Sequence, residues 1–199
     1  MAEVAFDAII LAGGRGSRLG GVSKADLVVG GERLLDRVLR AVAGAATVVV
    51  VGRVAVPEGV LLTLEDPPGT GPAAGVVTGL DAVASPAPWT LVLACDLPGA
   101  DAAVPALLAA AGGGAEGVPD GVCLASGDGR PQWLLGLYRS DALRRAASDY
   151  GDPRDRSVRG LVRPLALATV PDAAGVGDDL DTWDDHARWA SRLEGSTHD

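Results

Sequence analysis

The sequence predicts an α/β domain built on a mostly parallel sheet with helices over both faces. Short apolar runs alternate with segments of helical period along the first 111 residues. The strand-like runs lack polar alternation, the pattern of strands covered on both sides. Aromatics are scarce, at four Trp, two Tyr and one Phe, so the core must come from Leu, Val and Ala.

The elements follow in order. Residues 8–12 (AIILA) form the first strand, stopped by Gly13-Gly14. Residues 34–43 carry Leu34, Leu35, Val38, Leu39 and Val42 at the i, i+3, i+4 spacing of an amphipathic helix. Residues 47–51 and 60–64 are strands, the second ending at Glu65-Asp66-Pro67-Pro68. Residues 75–84 form a helix with Leu80 and Val83 on one face. Residues 90–94 are a fully apolar strand closed by Cys95-Asp96-Leu97-Pro98. Residues 101–111 form a helix with Asp101 as N-cap and Pro105 in its first turns. Beyond Gly112-Gly113-Gly114 the alternation breaks. Residues 121–125 and 132–138 flank the polar turn 126–130, an antiparallel excursion. A helix over 140–148, a charged loop over 152–156 and a closing helix over 184–193 complete the chain. There is no internal repeat, and the Ala/Gly run over 109–115 reads as a helix end, so residues 1–199 form one domain.

Composition bounds the partners. With 48% hydrophobic and 22% charged residues, wholesale disorder is excluded. A net charge of −9 argues against a nucleic-acid-tracking surface, which needs clustered Lys and Arg, but a small phosphorylated ligand needs only a few local cations. Cys95 and Cys123 sit in apolar runs without zinc spacing and read as buried thiols of a reducing compartment. No charged stretch precedes an apolar run at the N-terminus, and no apolar run nears the roughly 18 residues of a membrane span. The expectation is a cytoplasmic protein with neither a membrane nor a nucleic-acid partner.

The strongest motif is the segment 11–24, LAGGRGSRLGGVSK. Five glycines in the nine residues 13–21, directly after a buried strand, allow backbone N–H groups to approach a ligand closely. Arg15, Arg18 and Lys24 share the segment, and together they describe a polyphosphate cradle. It is not a Walker A loop, because Lys24 is followed by Ala25, and not a dinucleotide fingerprint begun at Gly14, because Leu19 stands where glycine is required. Further along, Arg130, Arg156, Arg159 and Arg163 supply local positive charge suited to a phosphorylated acceptor, with pairing to Asp149, Asp152 and Asp155 as the alternative.

The loop resembles the L-A-G-G-x-x-x-R-x-G-x-x-K signature of the sugar-nucleotidyltransferase-like superfamily, and specifically its MobA-like molybdenum cofactor guanylyltransferases. Glu65-Asp66 with Gly71-Pro72-Ala73-Ala74-Gly75 is similar to the family's E-D-…-G-P-L-A-G segment. Cys95-Asp96-Leu97-Pro98 is similar to its C-D-x-P metal motif. Arg130-Pro131-Gln132 resembles its acceptor-facing segment, and Asp179-Leu180-Asp181-Thr182-Trp183 its late N-x-N-T-P segment. The resemblance implies a Rossmann-like three-layer α/β/α sandwich of the nucleotide-diphospho-sugar transferase type, with a nucleotide-binding half over 1–112 and an acceptor-binding half over 113–199. It implies transfer of GMP from GTP to a molybdopterin-type phosphorylated acceptor, with Mg²⁺ as cofactor and pyrophosphate as product. A molybdoenzyme or cofactor-biosynthesis protein is the implied protein partner.

On the matching positions, Arg18, Lys24 and Asp96 carry catalysis. Leu11, Ala12, Gly13, Gly14, Arg15, Gly16, Lys24, Asp66, Gly71, Gly75 and Asp96 hold the nucleotide. Arg130, Gln132, Arg159 and Asp181 meet the acceptor, and Asp96 and Asp181 hold the metal. Asp66 and Asp96 are also plausible turn acids before proline, and Asp179, Asp181, Asp184 and Asp185 equally suit the N-terminus of the last helix. Leu11-Ala12-Gly13-Gly14 and the 71–75 segment favour guanine, whereas Gly52-Arg53 replaces the family's frequent Asn-Arg. The late aspartates resemble the cytidylyltransferase branch. Cytidylyl transfer to the same cofactor, guanylyl transfer to another small phosphorylated acceptor such as phospholactate, and a catalytically silent nucleotide-binding homologue stay open.

Overall fold

A computed structural model describes residues 4–13, 23–112, 120–172 and 174–195. The chain runs β1 (Phe6–Leu11), a 3-10 turn (Lys24–Asp26), β2 (Val28–Val29), β3 (Glu32–Arg33), α1 (Leu34–Ala41), β4 (Val48–Val51) and β5 (Leu61–Thr63). It continues through α2 (Pro72–Ala82), β6 (Trp89–Ala94), α3 (Ala100–Gly112), β7 (Gly121–Ala125) and β8 (Pro131–Arg139). The last elements are α4 (Ser140–Tyr150), α5 (Val158–Val162), β9 (Leu167–Pro171) and α6 (Trp183–Gly195).

Among the described residues the main sheet has seven strands in the order β5-β4-β1-β6-β8-β7-β9. All pairings are parallel except those of β8, which runs against both β6 and β7. The antiparallel excursion expected over 121–138 is this β7–β8 pair, with β8 wedged into the centre of the sheet. Chain order reverses beside β1: β4 and β5 lie on one side, and the chain returns to β6 on the other. Open α/β sheets bind ligands beyond the carboxyl ends of the strands at such a switch point.

Burial explains the missing polar alternation. Ala8 and Ile10 of β1 enter a core cluster with Val38 of α1 and Val104 of α3, while Ile9 and Leu11 enter another with Val76 of α2 and Leu143 of α4. Both faces of the sheet are therefore covered. A third cluster, of Leu27, Val29, Leu34, Leu180 and Trp189, fastens the β2–β3 hairpin to α6. No helix among the described residues is long and apolar enough to cross a membrane.

Several elements differ from the sequence expectations. α2 begins at Pro72, three residues early, because Gly71 takes the N-cap at φ 93° and Pro72 the first helical position. Asp101 is not an N-cap. α3 starts at Ala100, and the Asp101 carboxylate instead accepts from Arg37 at 3.2 Å and Arg40 at 2.9 Å. The β2–β3 hairpin, α5 and β9 had no expectation. The hairpin strands are two residues each, α5 is one short turn capped by Ser157, and β9 is a half-exposed edge strand. None offers enough consecutive residues for a periodic signal.

α2 lies close on β1 because two glycines face the strand. A Cβ on Gly75 would stand 3.1 Å from Leu11 Cδ2, and one on Gly79 would stand 2.4 Å from Ile9 Cγ2. Gly79→Val is expected to cost about 1–3 kcal/mol through overpacking. A lower urea midpoint at unchanged slope is the expected readout, and an unchanged midpoint would show that α2 can draw back from the sheet.

Candidate functional site

A cleft of about 1140 Å³ opens at the carboxyl ends of β1, β4 and β6. The ladder fixes its floor: Ala12 N donates to Val51 O at 2.8 Å and Cys95 N to Leu11 O at 3.0 Å. The chain leaving β1 and the chain leaving β6 are thus held side by side. Leu11, Ala12, Gly13, Lys24, Gly71, Gly75 and Asp96 all line the cleft, as do Gln132 and Arg159 from the later half. Gly14, Arg15, Gly16 and Arg18 lie outside the described residues.

The chemistry concentrates where β6 ends. Asp96 follows the strand, and its backbone carbonyl accepts from Leu180 N at 3.0 Å. Leu180 is fully buried in the α6 cluster. In Asp179-Leu180-Asp181 the middle residue is therefore anchored inward, and Asp179 and Asp181 converge with Asp96. One carboxylate oxygen from each of the three lies within 4.8 Å of the others. Lys24 Nζ donates to Asp96 Oδ2 at 2.7 Å and to Asp181 Oδ1. Its backbone is positioned by Ala25, which is buried next to it in the sheet core.

Three carboxylates against one ammonium leave the cluster negative. Burial opposes the charge on Lys24, but the hydrogen bonds it donates to Asp181 and Asp96 outweigh it and hold the ammonium above its ordinary range. Asp179 moves the other way: loss of solvent, then repulsion from Asp181 and Asp96, raises its carboxyl above the usual carboxylate range. Convergent hard oxygen donors at this spacing fit a small divalent cation, whose ligand oxygens lie about 3–4 Å apart for metal–oxygen bonds near 2.1 Å. The neighbouring Cys95 is not part of this chemistry, since burial pushes its thiol up to about 12.

The capping of α6 separates the acidic residues by role. Thr182 Oγ1 accepts from Asp185 N at 3.2 Å, and Asp185 Oδ2 accepts from Thr182 N at 2.8 Å, a reciprocal capping box. Asp185 thus serves the helix, whereas Asp179 lines the cleft and Asp181 accepts from Lys24 beside it. The sequence reading did not count Asp179 as a ligand, although the polar-apolar-polar pattern of 179–181 carries the signal.

On the opposite wall, the pairing of β7 with β8 shifts register, from Cys123 with Gly136 to Leu124 with Gln132. Tyr138 Oη donates to Trp133 O at 2.7 Å across the irregularity. Gln132, Trp133 and Leu134 thereby reach the cleft. Arg159 follows buried Val158 in α5 and also lines it, and so does Arg53, which the sequence reading had not placed there.

Other expected positions fall elsewhere. Asp66 is exposed and lines a neighbouring 330 Å³ pocket with Thr70 and Arg154, while Glu65 reaches both pockets. Arg130 is exposed on the β7–β8 turn, outside the large cleft, with its guanidinium on Asp128 at 2.5 Å. Arg156 stacks 3.5 Å from the centroid of the Tyr150 ring, and Arg163 is exposed. Of that arginine group, Arg159 faces the cleft.

A Rossmann-type sheet carrying such a cleft at its switch point is the fold of nucleotidyltransferases, and the comparisons narrow the class. The model of the MobA-like NTP transferase domain matches residues 8–169, and the chain belongs to this family. A curated molybdenum cofactor guanylyltransferase from Acidiphilium cryptum is 38% identical over 173 residues, covering 82% of each chain. Among solved structures, molybdopterin-guanine dinucleotide biosynthesis protein A from Archaeoglobus fulgidus superposes with a TM-score of 0.64 at 20% identity, over 95% of this chain and 99% of that one. The 2-C-methyl-D-erythritol 4-phosphate cytidylyltransferase from Thermus thermophilus does so with a TM-score of 0.63 at 22% identity, over 96% and 99%. These two likenesses show the fold.

Because its carboxyl is raised in the folded state, Asp179 weakens the cation-free protein as pH climbs through the ordinary carboxylate range. Asp179→Asn is therefore expected to raise the thermal midpoint without cation at neutral pH and to shrink the further rise given by a millimolar divalent cation. A variant that melts lower without cation, or that keeps the full cation response, would contradict the cluster's assignment.

Proposed function

We propose that the protein transfers GMP from GTP to a molybdopterin-type phosphorylated acceptor, releasing pyrophosphate. The observation that carries this reading is the convergence of Lys24, Asp96, Asp179 and Asp181 beside a cleft that Gly13 and Gly71 also line. The 38% identical guanylyltransferase supports the acceptor class. The cleft, at about 1140 Å³, exceeds the roughly 300–1000 Å³ of a typical single-ligand pocket, which suits two substrates.

In this reading residues 1–112 supply most of the nucleotide site and residues 113–199 most of the acceptor site. An oxygen of the acceptor phosphate attacks the α-phosphorus, the bond from that phosphorus to the bridging oxygen breaks, and pyrophosphate leaves with the bond pair. Placement and charge stabilisation dominate such transfers, so no side-chain nucleophile is required. Lys24 offers its ammonium to the phosphates, joined by Arg15 and Arg18 of the glycine loop. Gly13 leaves room for backbone approach. Arg159 and Gln132 orient the acceptor on the opposite wall. Mg²⁺, held by Asp96, Asp179 and Asp181, would supply a hard positive charge against phosphate oxygens. A cytoplasmic setting agrees with two buried thiols that form no disulfide.

Pyrophosphate release measured with each of the four NTPs, with and without molybdopterin, tests this reading. Release is expected from GTP and only with the acceptor, and Lys24→Ala should lower kcat/KM at least about tenfold. Preferred release from CTP would move the enzyme to the cytidylyl branch. Absence of release with every NTP would support a silent homologue.

A further inference from the structure

Glu65 stands out among the acids of the cleft. It follows β5, is only 8% exposed, and lines the cleft. Its Oε1 lies 3.8 Å from where a Cβ on Gly13 would stand, so the missing side chain at Gly13 leaves the space above the carboxylate open. Among the described residues Glu65 makes no hydrogen bond or ion pair. A buried carboxylate is costly without partners; here Oε1 faces Gly13 on the cleft side, and the residue also borders the neighbouring pocket.

We propose that Glu65 is the base-reading residue, accepting hydrogen bonds from the ring N1–H and the 2-amino group of guanine; this rests on the nucleotidyl-transfer reading above. A carboxylate offers acceptors only. The guanine edge presents two adjacent donors and matches it. Cytosine and adenine each present one amino group beside a ring-nitrogen acceptor, and uracil presents one N–H between two carbonyls. Each of these sets a lone pair against the carboxylate, so the same group that attracts guanine rejects the others. The position is also apt. Glu65 follows β5, which β4 and β1 separate from β6, so it enters the cleft from a different strand end than Asp96. The adjacent Asp66 does not share the role, because it is exposed and faces the neighbouring pocket.

Calorimetric titration of the wild type and Glu65→Gln with GTP, ITP and CTP, in the presence of Mg²⁺, tests the proposal. ITP differs from GTP only by lacking the 2-amino group. The wild type is expected to bind GTP about tenfold or more tightly than ITP, and CTP more weakly still. In Glu65→Gln, GTP affinity is expected to fall about tenfold and the GTP-to-ITP ratio to approach one. Equal wild-type affinity for GTP and ITP overturns the proposal without any variant. Unchanged ratios in a folded Glu65→Gln overturn it too. A uniform loss for all three nucleotides would assign Glu65 to the ribose or to packing, and also overturns it. A wild type that binds GTP over CTP while Glu65→Gln keeps that preference leaves guanylyl transfer standing and removes only Glu65. A wild type that binds none of the three, or CTP best, removes the underlying reading instead.

Discussion

The hydrogen bond from Leu180 N to Asp96 O is the contact on which the site depends. It ties the approach to α6 to the exit of β6, although 84 residues separate them in sequence. Leu180 is buried and cannot turn outward, so the aspartates on either side are forced toward Asp96. Without that tie, Asp179 and Asp181 would be solvated helix-entry acids. With it, three carboxylates crowd within 4.8 Å, and Lys24 holds two of them. Such a cluster is a poor stability device, since loss of solvent and then repulsion from Asp181 and Asp96 push the Asp179 carboxyl upward. Cost without structural gain is characteristic of residues kept for a ligand.

The sheet explains why the polar groups meet there and nowhere deeper. Both faces are packed by helices, so a functional side chain can emerge only beyond a strand end. At the carboxyl edge, β1 delivers Ala12 and Gly13, β5 delivers Glu65, β6 delivers Asp96, and the irregular pairing of β8 delivers Gln132 and Trp133. The opposite walls are thus served by different parts of the chain.

Much of the frame was legible in the sequence, because apolar runs such as 8–12 and 90–94 can only be strands covered on both sides. The motif positions Lys24, Asp96, Gly71 and Gly75 reached the cleft because each lies at or within a turn of the end of a regular element. What stayed hidden depends on long-range geometry. Asp179 looked like a helix-dipole acid until Leu180 was seen to anchor the segment. Glu65 and Asp66 are neighbours, and only the direction of the chain leaving β5 shows which enters the cleft. Arg130 carries the expected charge, but its turn supplies Asp128 as a local partner two residues away, and that pairing holds it outside the cleft. The β2–β3 hairpin and α5 are too short to leave a period, and yet they help to seat Leu180 and Arg159.

The central claim is that Asp96, Asp179 and Asp181 form the cation and phosphate end of the site. A crystal grown with Mn²⁺ and a non-hydrolysable GTP analogue tests it most directly, since the anomalous signal locates the ion independently of the protein density. One strong peak is expected within bonding distance of these carboxylates and of a phosphate oxygen, with Lys24 moved from at least one aspartate onto the phosphates. A nucleotide bound with its triphosphate elsewhere, or an ion held away from all three aspartates, would contradict it.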